Sequence, residues 1–574
     1  MKSLYERWLA EESLDFDLRE ELENMSEDDI AEAFYKPLGF GTGGMRGVIG
    51  AGINRMNIYT LRKAAYGFGK YLIANHEKAA SRGVAIAYDN RRKSETFAKT
   101  CVEVLAALGI RSHLFEHMRP TPVLSFAVRE TGAVGGIMIT ASHNPPEYNG
   151  FKIYDETGCQ LVPDLADQVI KEVEKVDDVF AIPICEFDQA KNDGFVKTLG
   201  RDMDVEYLKQ IKTIPLKPES KKTIKIIFTP LHGASREIGL RALVESGYEV
   251  IPVEEQMVAD AAFSTVESPN PEDLKAFEYA IKYGNKHKAD VLLATDPDGD
   301  RLGIAIRHDQ EYVFLTGNQT GALFIDYLFK TREGRGDLPA QPVVYNTIVT
   351  GELGATIAKK YGARVESTLT GFKYIGEKMR ALESKPETFM MGYEESYGYV
   401  IRDFTRDKDS IQAMVLAAEI VNSLAAEGKT MIDQLNDLYD TYGAFRESLE
   451  NITLKGRTGE ATIQAIMDTF RNESFPELAG RTIIAKEDYL TLRRYEGDTE
   501  RPLMTPAENV LKFIFEEGGW FVLRPSGTEP KLKVYFALVT GSVSTTDEAI
   551  ERVRTAVLEK IDSVIQKSNE EVTA

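Results

Sequence analysis

With 574 residues, 43% of them hydrophobic, the chain is too long for one core and has apolar side chains enough for roughly three to five domains. Its formal net charge of −21 excludes nucleic acid and anionic membrane surfaces as general partners, so any anion it binds must meet a locally cationic site. The N-terminal stretch MKSLYERWLAEESLDFDLREELENMSEDD has acids where a signal peptide requires an apolar run. No segment approaches the roughly 20 apolar residues that span a bilayer, and the expectation is a soluble, cytoplasmic protein. The acidic N-terminal helices read as surface decoration. Gly39 to Gly47 contain the pattern G-x-G-x-x-G, but the lead-in AEAFYKPL is not a strand. The loop therefore reads as a carrier of Arg46 and backbone amides, not as a dinucleotide turn. Cys101, Cys159 and Cys185 lack metal-ligand spacing and read as reduced thiols.

From Val84 onward one grammar occurs three times. The first unit has the apolar run VAIAYD, a helix from Ser94 that stops at Gly109, strand-like RSHLFE, helical TPVLSFAVRETG, and the strand GIMIT ending at Thr140. The second has IKIIFTP, a helix ending at Gly247, YEVIPV, helical DLKAFEYAIKYG, and VLLAT ending at Thr295. The third has VVYNTI, a helix ending at Gly362, ARVESTL, helical FKYIGEKMRAL, and TFMMGY ending at Tyr393. Each unit predicts an α/β layer with helices on a mixed sheet, and the glycines fit left-handed C-caps. From about Gly443 the grammar breaks into the helical TGEATIQAIMDTF, the strands WFVLRPSG and KLKVYFALV, and an amphipathic helix near DEAIERVRTAVLEKI. This predicts a separate, smaller α+β domain, with the polar stretch from Asn472 to Arg501 as decoration. The fold class is α/β: three related domains with mixed sheets plus the C-terminal domain around a central cleft. The expected division is 1–205, 206–320, 321–442 and 443–574.

A polar loop follows the last strand of each unit, where open α/β sheets bind ligands. In the first loop, Ser142 stands in Thr-Ala-Ser-His-Asn-Pro-Pro, with His143 adjacent and Lys152 shortly after. A hydroxyl there is a nucleophile if a base and a cation lie near it, and a hydrogen-bonded Ser/Asn/Pro turn if they do not. In the second, Asp296, Asp298 and Asp300 alternate with Pro297 and Gly299. Carboxylates so close repel one another unless a hard cation lies between them, and oxygen-only ligation favours Mg²⁺. An EF-hand fails, because its sixth and twelfth places hold Arg301 and Arg307. A phosphatase with an Asp-x-Asp nucleophile and a solvated acidic turn remain as rivals. Arg301 adjoins the loop and suits a transferring phosphoryl group. In the third loop, Glu394 and Ser396 are two residues apart and suit neighbouring sugar hydroxyls, although a surface loop has the same composition. Between two C-terminal strands, Arg524-Pro-Ser526-Gly527-Thr528-Glu-Pro-Lys offers a guanidinium fork, hydroxyls and close backbone amides, suited to a phosphate that is held and not attacked.

Four motifs in this order, Thr-Ala-Ser-His-Asn-Pro, Asp-Pro-Asp-Gly-Asp-Arg, Gly-Tyr-Glu-Glu-Ser-Tyr-Gly and Arg-Pro-Ser-Gly-Thr-Glu-Pro, run along nearly the whole chain, which resembles the α-D-phosphohexomutases. The resemblance implies that Ser142 is a phosphoserine and that Asp296, Asp298 and Asp300, with the serine phosphate, bind one Mg²⁺. It implies sugar contacts at Glu394, Ser396, Thr370 and Gly371, and a distal phosphate loop at Arg524, Ser526, Gly527 and Thr528. Arg46, Lys152, Arg301 and Lys408 match basic family positions at the phosphates. Lys408-Asp409-Ser410 stands where many relatives have Lys-Asp-Gly, which singles out the backbone at position 410. The implied reaction interconverts glucose 1-phosphate and glucose 6-phosphate through glucose 1,6-bisphosphate, which also activates the enzyme, with the C-terminal domain swinging to exclude water. Phosphopentomutase and phosphomannomutase activity are the alternatives, followed by a non-catalytic phosphosugar-binding protein and a phosphatase. The expected partner is a small-molecule phosphosugar, and the chain is read as a monomer or a homodimer.

Overall fold

The computed structural model describes residues 2–41, 44–454, 457–526 and 531–573. All three repeats fold as their periodicities predict. In the first, the strands Val84–Tyr88, Ser112–Phe115 and Gly135–Ile139 pair in parallel, with the helices Ser94–Ala107 and Thr121–Thr131 between them. Every residue of Val84–Tyr88 is buried, which is why it reads as a continuous apolar run and not as an alternating one. Two antiparallel strands, Tyr148–Asp155 and Gly44–Val48, extend this sheet and place Gly44 opposite Lys152. The full order is Phe40–Gly41, Gly44–Val48, Tyr148–Asp155, Gly135–Ile139, Val84–Tyr88, Ser112–Phe115, Val196–Leu199.

The second repeat forms a five-stranded mixed sheet. Its strands Lys225–Thr229, Glu249–Pro252 and Val291–Thr295 are parallel, and Leu302–His308 and Glu311–Leu315 return antiparallel. The third repeat supplies the strands Pro342–Thr347, Arg364–Thr368 and Thr388–Glu394 and the helices Glu352–Lys360 and Phe372–Leu382. Thr388–Glu394 turns back on Gly398–Val400, so that Glu394 pairs with Gly398. Gly109, Gly247 and Gly362, which end the first helix of each repeat, have φ of 75°, 89° and 78°, the left-handed conformation that a side chain would strain.

The chain forms two compact units. One comprises the residues up to Thr320, Lys330–Val343 and Phe372–Thr430; the other comprises Gly321–Phe329, Val344–Gly371 and the chain from Met431 onward. The second unit contains an antiparallel sheet in the order Ala444–Thr453, Lys531–Thr540, Gly519–Pro525, Leu511–Phe515, Arg481–Asp488, Arg493–Glu496, Thr499–Pro502. The helices Arg457–Asn472 and Val543–Thr573 contribute to its core, in which Phe513 and Phe521 stack with ring centroids 4.6 Å apart. Among the described residues no helix is long and apolar enough to cross a membrane.

Two expectations need correction. The stretch from Asn472 to Arg501 is not decoration, because Arg481–Asp488 is an integral strand paired with Leu511–Phe515. Its charges are satisfied by partners: Arg494 pairs with Glu487 at 2.5 Å and Arg471 with Asp488 at 3.0 Å. Nor are the N-terminal helices Lys2–Ala10, Phe16–Glu23 and Glu27–Phe34 decoration. They enclose a core of their own around Trp8, which is 1% exposed and meets Phe34, Tyr59 and Phe180 edge-on at 5.8, 5.5 and 5.2 Å. Trp8→Ala is expected to destabilise this region by about 3–5 kcal/mol, the usual cost of emptying a buried aromatic site. Scanning calorimetry of the full chain should show the transition of this region shifted down; an unchanged profile would mean that the helices contribute nothing to the first unit.

Candidate active site

Ser142 follows the strand Gly135–Ile139 and has φ of 51°, a left-handed conformation uncommon outside glycine and asparagine. Local and distant bonds hold it there. Its backbone N–H donates to Thr140 Oγ1 at 2.8 Å. One guanidinium, Arg91, donates to four carbonyls of the loop: Ser142 at 2.5 Å, Pro145 at 2.8 Å, Tyr148 at 3.1 Å, and Asn144. Arg91 is buried and lies 3.4 Å from the equally buried Asp89, which also accepts from Ser94 Oγ at 2.7 Å. Burial pushes the Asp89 carboxyl up and the Arg91 guanidinium down, and their mutual attraction opposes both shifts.

The Ser142 hydroxyl lies 2.8 Å from Asp296 Oδ2 and 3.1 Å from His143 Nδ1. Asp296, Asp298 and Asp300 are at most 1% exposed and offer carboxylate oxygens within 4.8 Å of one another. The backbone N–H groups of Asp300 and Arg301 both donate to Asp296 Oδ1 at 3.0 Å. Asp298 Oδ2 accepts from Thr121 Oγ1 at 2.9 Å and from Lys152 Nζ at 2.7 Å. Asp298 Oδ1 and Asp300 Oδ1 are buried with no hydrogen-bond partner among the described residues. Burial and then repulsion from Asp298 and Asp300 push the Asp296 carboxyl well above the usual range. Burial acts on Asp298 in the same direction, but Lys152 and the Asp296 hydrogen bond outweigh it and hold Asp298 below that range. Partnerless carboxylate oxygens converging in a buried cluster fit a small, hard cation.

Two lysines complete the cluster. Lys152 Nζ lies 3.5 Å from Asp300 Oδ2, and Lys408 Nζ lies 3.1 Å from the same oxygen and 3.2 Å from Asp407. Burial would lower both ammonium groups, but the facing carboxylates outweigh it and raise them, Lys408 by far the more. His143 is held well below the ordinary imidazole range by burial and by the charges of Arg301 and Arg46, which leaves a neutral ring beside the serine. Arg46 reaches the same loop from Gly44–Val48, donating to Asn144 Oδ1 at 2.8 Å. The Arg301 guanidinium pairs with Glu272.

The third loop is tied to the second by backbone. Arg301 bridges Gly398, and Leu302 N–H donates to the Tyr397 carbonyl at 3.0 Å. A side chain at Gly398 would displace Lys408 and Glu394, since a Cβ there would lie 2.2 Å from Lys408 Cδ and 2.9 Å from Glu394 Oε1. Glu394 is 5% exposed; burial raises its carboxyl to about 7 against the pull of Lys408 and with the push of Glu395. Ser396 is partly exposed on this loop. The first unit thus brings together Ser142, His143, Lys152, the three aspartates, Arg301, Lys408 and Glu394, with Arg46 on the serine loop.

The remaining expected residues belong to the second unit. Arg524 donates from Nε to Glu508 at 3.0 Å, and Ser526 N–H donates to the Lys531 carbonyl at 2.8 Å. Thr370 presents a buried hydroxyl with no partner among the described residues, and Gly371 has φ of 117°. Gly527 and Thr528 lie outside the described residues. Sequence reasoning missed Arg91, Asp89 and Thr121, which lie far from the motifs along the chain. The turn Asp89-Asn90-Arg91, directly after a buried strand, was their one local signal.

Comparison with known proteins gives one consistent result. Four consecutive stretches match the phosphoglucomutase/phosphomannomutase family: alpha/beta/alpha domain I over residues 37–179, domain II over 205–309, domain III over 316–442, and the C-terminal domain over 483–560. The chain is 38% identical over 525 residues to a phosphoglucomutase of Staphylococcus epidermidis, covering 90% of this chain and 93% of that one. A phosphoglucomutase of Staphylococcus aureus is 38% identical over 521 residues, covering 90% and 92%. Among solved structures, a protein of Thermus thermophilus described as a phosphomannomutase superimposes with a TM-score of 0.66 at 25% identity, covering 92% of this chain and 99% of that one.

Removing Arg91 alone would leave Asp89 buried and unpaired and four carbonyls without their donor. Arg91→Ala is expected to cost about 3–5 kcal/mol, and the double variant Asp89→Ala/Arg91→Ala less than the two single losses added. Denaturant unfolding checks this; strictly additive losses would show that the two side chains do not act as a pair.

Proposed function

The chain belongs to the phosphoglucomutase/phosphomannomutase family, and from that premise we propose that Ser142 carries the phosphoryl group in the interconversion of glucose 1-phosphate and glucose 6-phosphate. The observation that carries this reading is the Ser142 hydroxyl 2.8 Å from Asp296 within a buried carboxylate trio flanked by Lys152 and Lys408. In the first half-reaction the bond between phosphorus and Ser142 Oγ breaks, and a bond forms from phosphorus to the free hydroxyl of the sugar phosphate. The proton of that hydroxyl ends on Ser142 Oγ, so that the products are a free serine hydroxyl and glucose 1,6-bisphosphate. In the second half the bond from the other phosphorus to its sugar oxygen breaks, that phosphoryl group returns to Ser142 Oγ, the serine proton passes to the sugar oxygen, and the monophosphate isomer leaves.

Asp296, Asp298 and Asp300 would hold Mg²⁺ together with the serine phosphate, and the ion when bound supplies positive charge next to the phosphate oxygens. Lys152 and Lys408 add fixed positive charge beside the carboxylate trio, in a buried environment where charge stabilisation of a loose phosphoryl transition state is most effective. His143, whose Nδ1 lies 3.1 Å from the serine oxygen, is able to exchange a proton with it. Arg46 holds the serine loop and adds charge at its mouth. Glu394 and Ser396 take sugar hydroxyls, with Thr370 and Gly371 as further contacts. Arg524, Ser526, Gly527 and Thr528 hold the phosphate that is not being transferred; because each half-reaction presents a different one, their donors must recognise phosphate and not a sugar position. We read the chain as four domains, 1–205, 206–320, 321–442 and 443–574, a division supported by the four matched stretches.

Ser142→Ala should abolish labelling of the protein by ³²P-labelled glucose 1,6-bisphosphate and lower turnover of glucose 1-phosphate by about a thousandfold or more, with the thermal midpoint unchanged. A variant that still takes up label would remove Ser142 as the carrier. The pH dependence follows from Glu394, whose carboxyl sits near 7 and is therefore increasingly protonated, and a poorer acceptor, as the pH falls below that value. KM for glucose 1-phosphate should rise across this interval in the native protein and stay flatter in Glu394→Gln. The ionisation of the substrate is common to both and cancels; parallel KM profiles would dismiss Glu394 as the titrating contact.

A further inference from the structure

Arg301 is fixed along its backbone but held at its side chain by one acceptor among the described residues. Its N–H donates to Asp296 Oδ1 at 3.0 Å, its backbone bridges Gly398, and the N–H of Leu302 donates to the Tyr397 carbonyl at 3.0 Å. Within the guanidinium, Nη1 donates to Glu272, while Nε is buried with no partner among the described residues. Glu272 stands in the turn Asn270-Pro271-Glu272, where Asn270 Oδ1 accepts from Glu272 N–H at 3.2 Å and the Asn270 carbonyl from Asp273 N–H at 2.9 Å. The turn packs on the strand that follows Arg301, since a Cβ at Gly303 would lie 2.6 Å from the Pro271 carbonyl oxygen. Both members of the pair are thereby anchored to one strand end. Burial lowers the Arg301 guanidinium, and Glu272 first, then Asp300, Asp296 and Glu394, outweigh it and raise it. After burial, Arg301 is in turn the strongest influence that holds down His143, the neighbour of Ser142.

We propose that Glu272 is a positioning residue for phosphoryl transfer, anchoring Arg301 by one end of its guanidinium so that the remaining donors stay available to the phosphoryl group. The proposal rests on the reading of Ser142 as the carrier given above. A guanidinium is a rigid, planar fork of five N–H donors, so a carboxylate at one corner fixes its plane and leaves the other donors unused. Among the described residues the strongest remaining attractions on an unanchored Arg301 are Asp300 and Asp296. Without Glu272, Arg301 would turn towards these aspartates and withdraw its donors from the phosphoryl group. A reacting group displaced by about 1 Å can lose about a hundredfold in rate, so such a turn is costly even though Arg301 remains in the site. The Glu272 side chain is 31% exposed, and its removal empties no core.

The test is single-turnover transfer of label from ³²P-labelled glucose 1,6-bisphosphate to the full-length protein. The native chain is compared with Glu272→Ala, Glu272→Gln, Arg301→Ala and the double variant Glu272→Ala/Arg301→Ala. Glu272→Ala should slow transfer about a hundredfold, while its steady-state KM for glucose 1-phosphate stays within about threefold of native. Glu272→Gln keeps an oxygen for Nη1 and should lose only about tenfold. The double variant should match Arg301→Ala within about twofold, because Glu272 acts only through that side chain. Losses that multiply in the double variant, or a loss carried by KM with transfer intact, would overturn the proposal. Glu272→Gln preserves the shape of the side chain and reports even where the truncation disturbs folding; transfer at the native rate in it would overturn the proposal as well. Label taken up by Ser142→Ala defeats the carrier reading, and the proposal with it.

Discussion

Three carboxylates buried within 4.8 Å of one another form the constraint that the rest of the first unit answers. Left alone, such a cluster is prohibitive, because desolvation and mutual repulsion both disfavour its charge. The protein meets it with fixed donors: two backbone N–H groups on Asp296, Thr121 and Lys152 on Asp298, and Lys152 and Lys408 on Asp300. These donors come from all three repeats. Thr121 and Lys152 belong to the first, the aspartates to the second and Lys408 to the third, so that the charge cluster adds to the backbone bonds that join the three layers. The loop can be in place only when those layers are.

The same logic explains why the loops occupy equivalent places. In each repeat the third strand ends in buried backbone, and the residues just beyond it are the first free to turn and expose polar groups. Ser142 lies there in the first repeat, Asp296 in the second and Glu394 at the strand end in the third. An unusual conformation at Ser142 is tolerable because Arg91 and Thr140 over-determine it, one guanidinium spanning a loop that would otherwise have several competing shapes.

This division also sets what the sequence discloses. Strands and helices of the three repeats were legible because continuous burial and helical spacing leave a periodic trace, and the serine, aspartate and glutamate loops were legible because their polar residues interrupt it. Arg91 was not. Its carbonyl partners lie more than 50 residues along the chain, and the one local signal, an Asp-Asn-Arg turn after a buried strand, does not tell a guanidinium that binds four carbonyls from one that pairs only with its neighbour. The strand Arg481–Asp488 was missed for a related reason: ion pairs with Arg494 and Arg471 let charged residues sit in a sheet interior that composition alone assigns to the surface. The N-terminal helices were misjudged from their net acidity, although Trp8, Leu22 and Phe34 mark a buried stripe. Ser410 stood out only as a departure from the family pattern, and its bond to Gly299 is visible only in three dimensions.

The acidity of the whole chain, −21 in formal charge, and the anionic nature of a sugar phosphate can now be reconciled. The overall field repels such a substrate, so attraction has to be local and short-ranged. Lys152 and Lys408 do not serve this purpose by themselves, because each already answers an aspartate at 2.7 or 3.1 Å. Their charge becomes available to a phosphate to the extent that something else neutralises the carboxylates. The three aspartates therefore set how positive their surroundings are, and Thr121, Lys152 and Lys408, which bond to them, share in that balance.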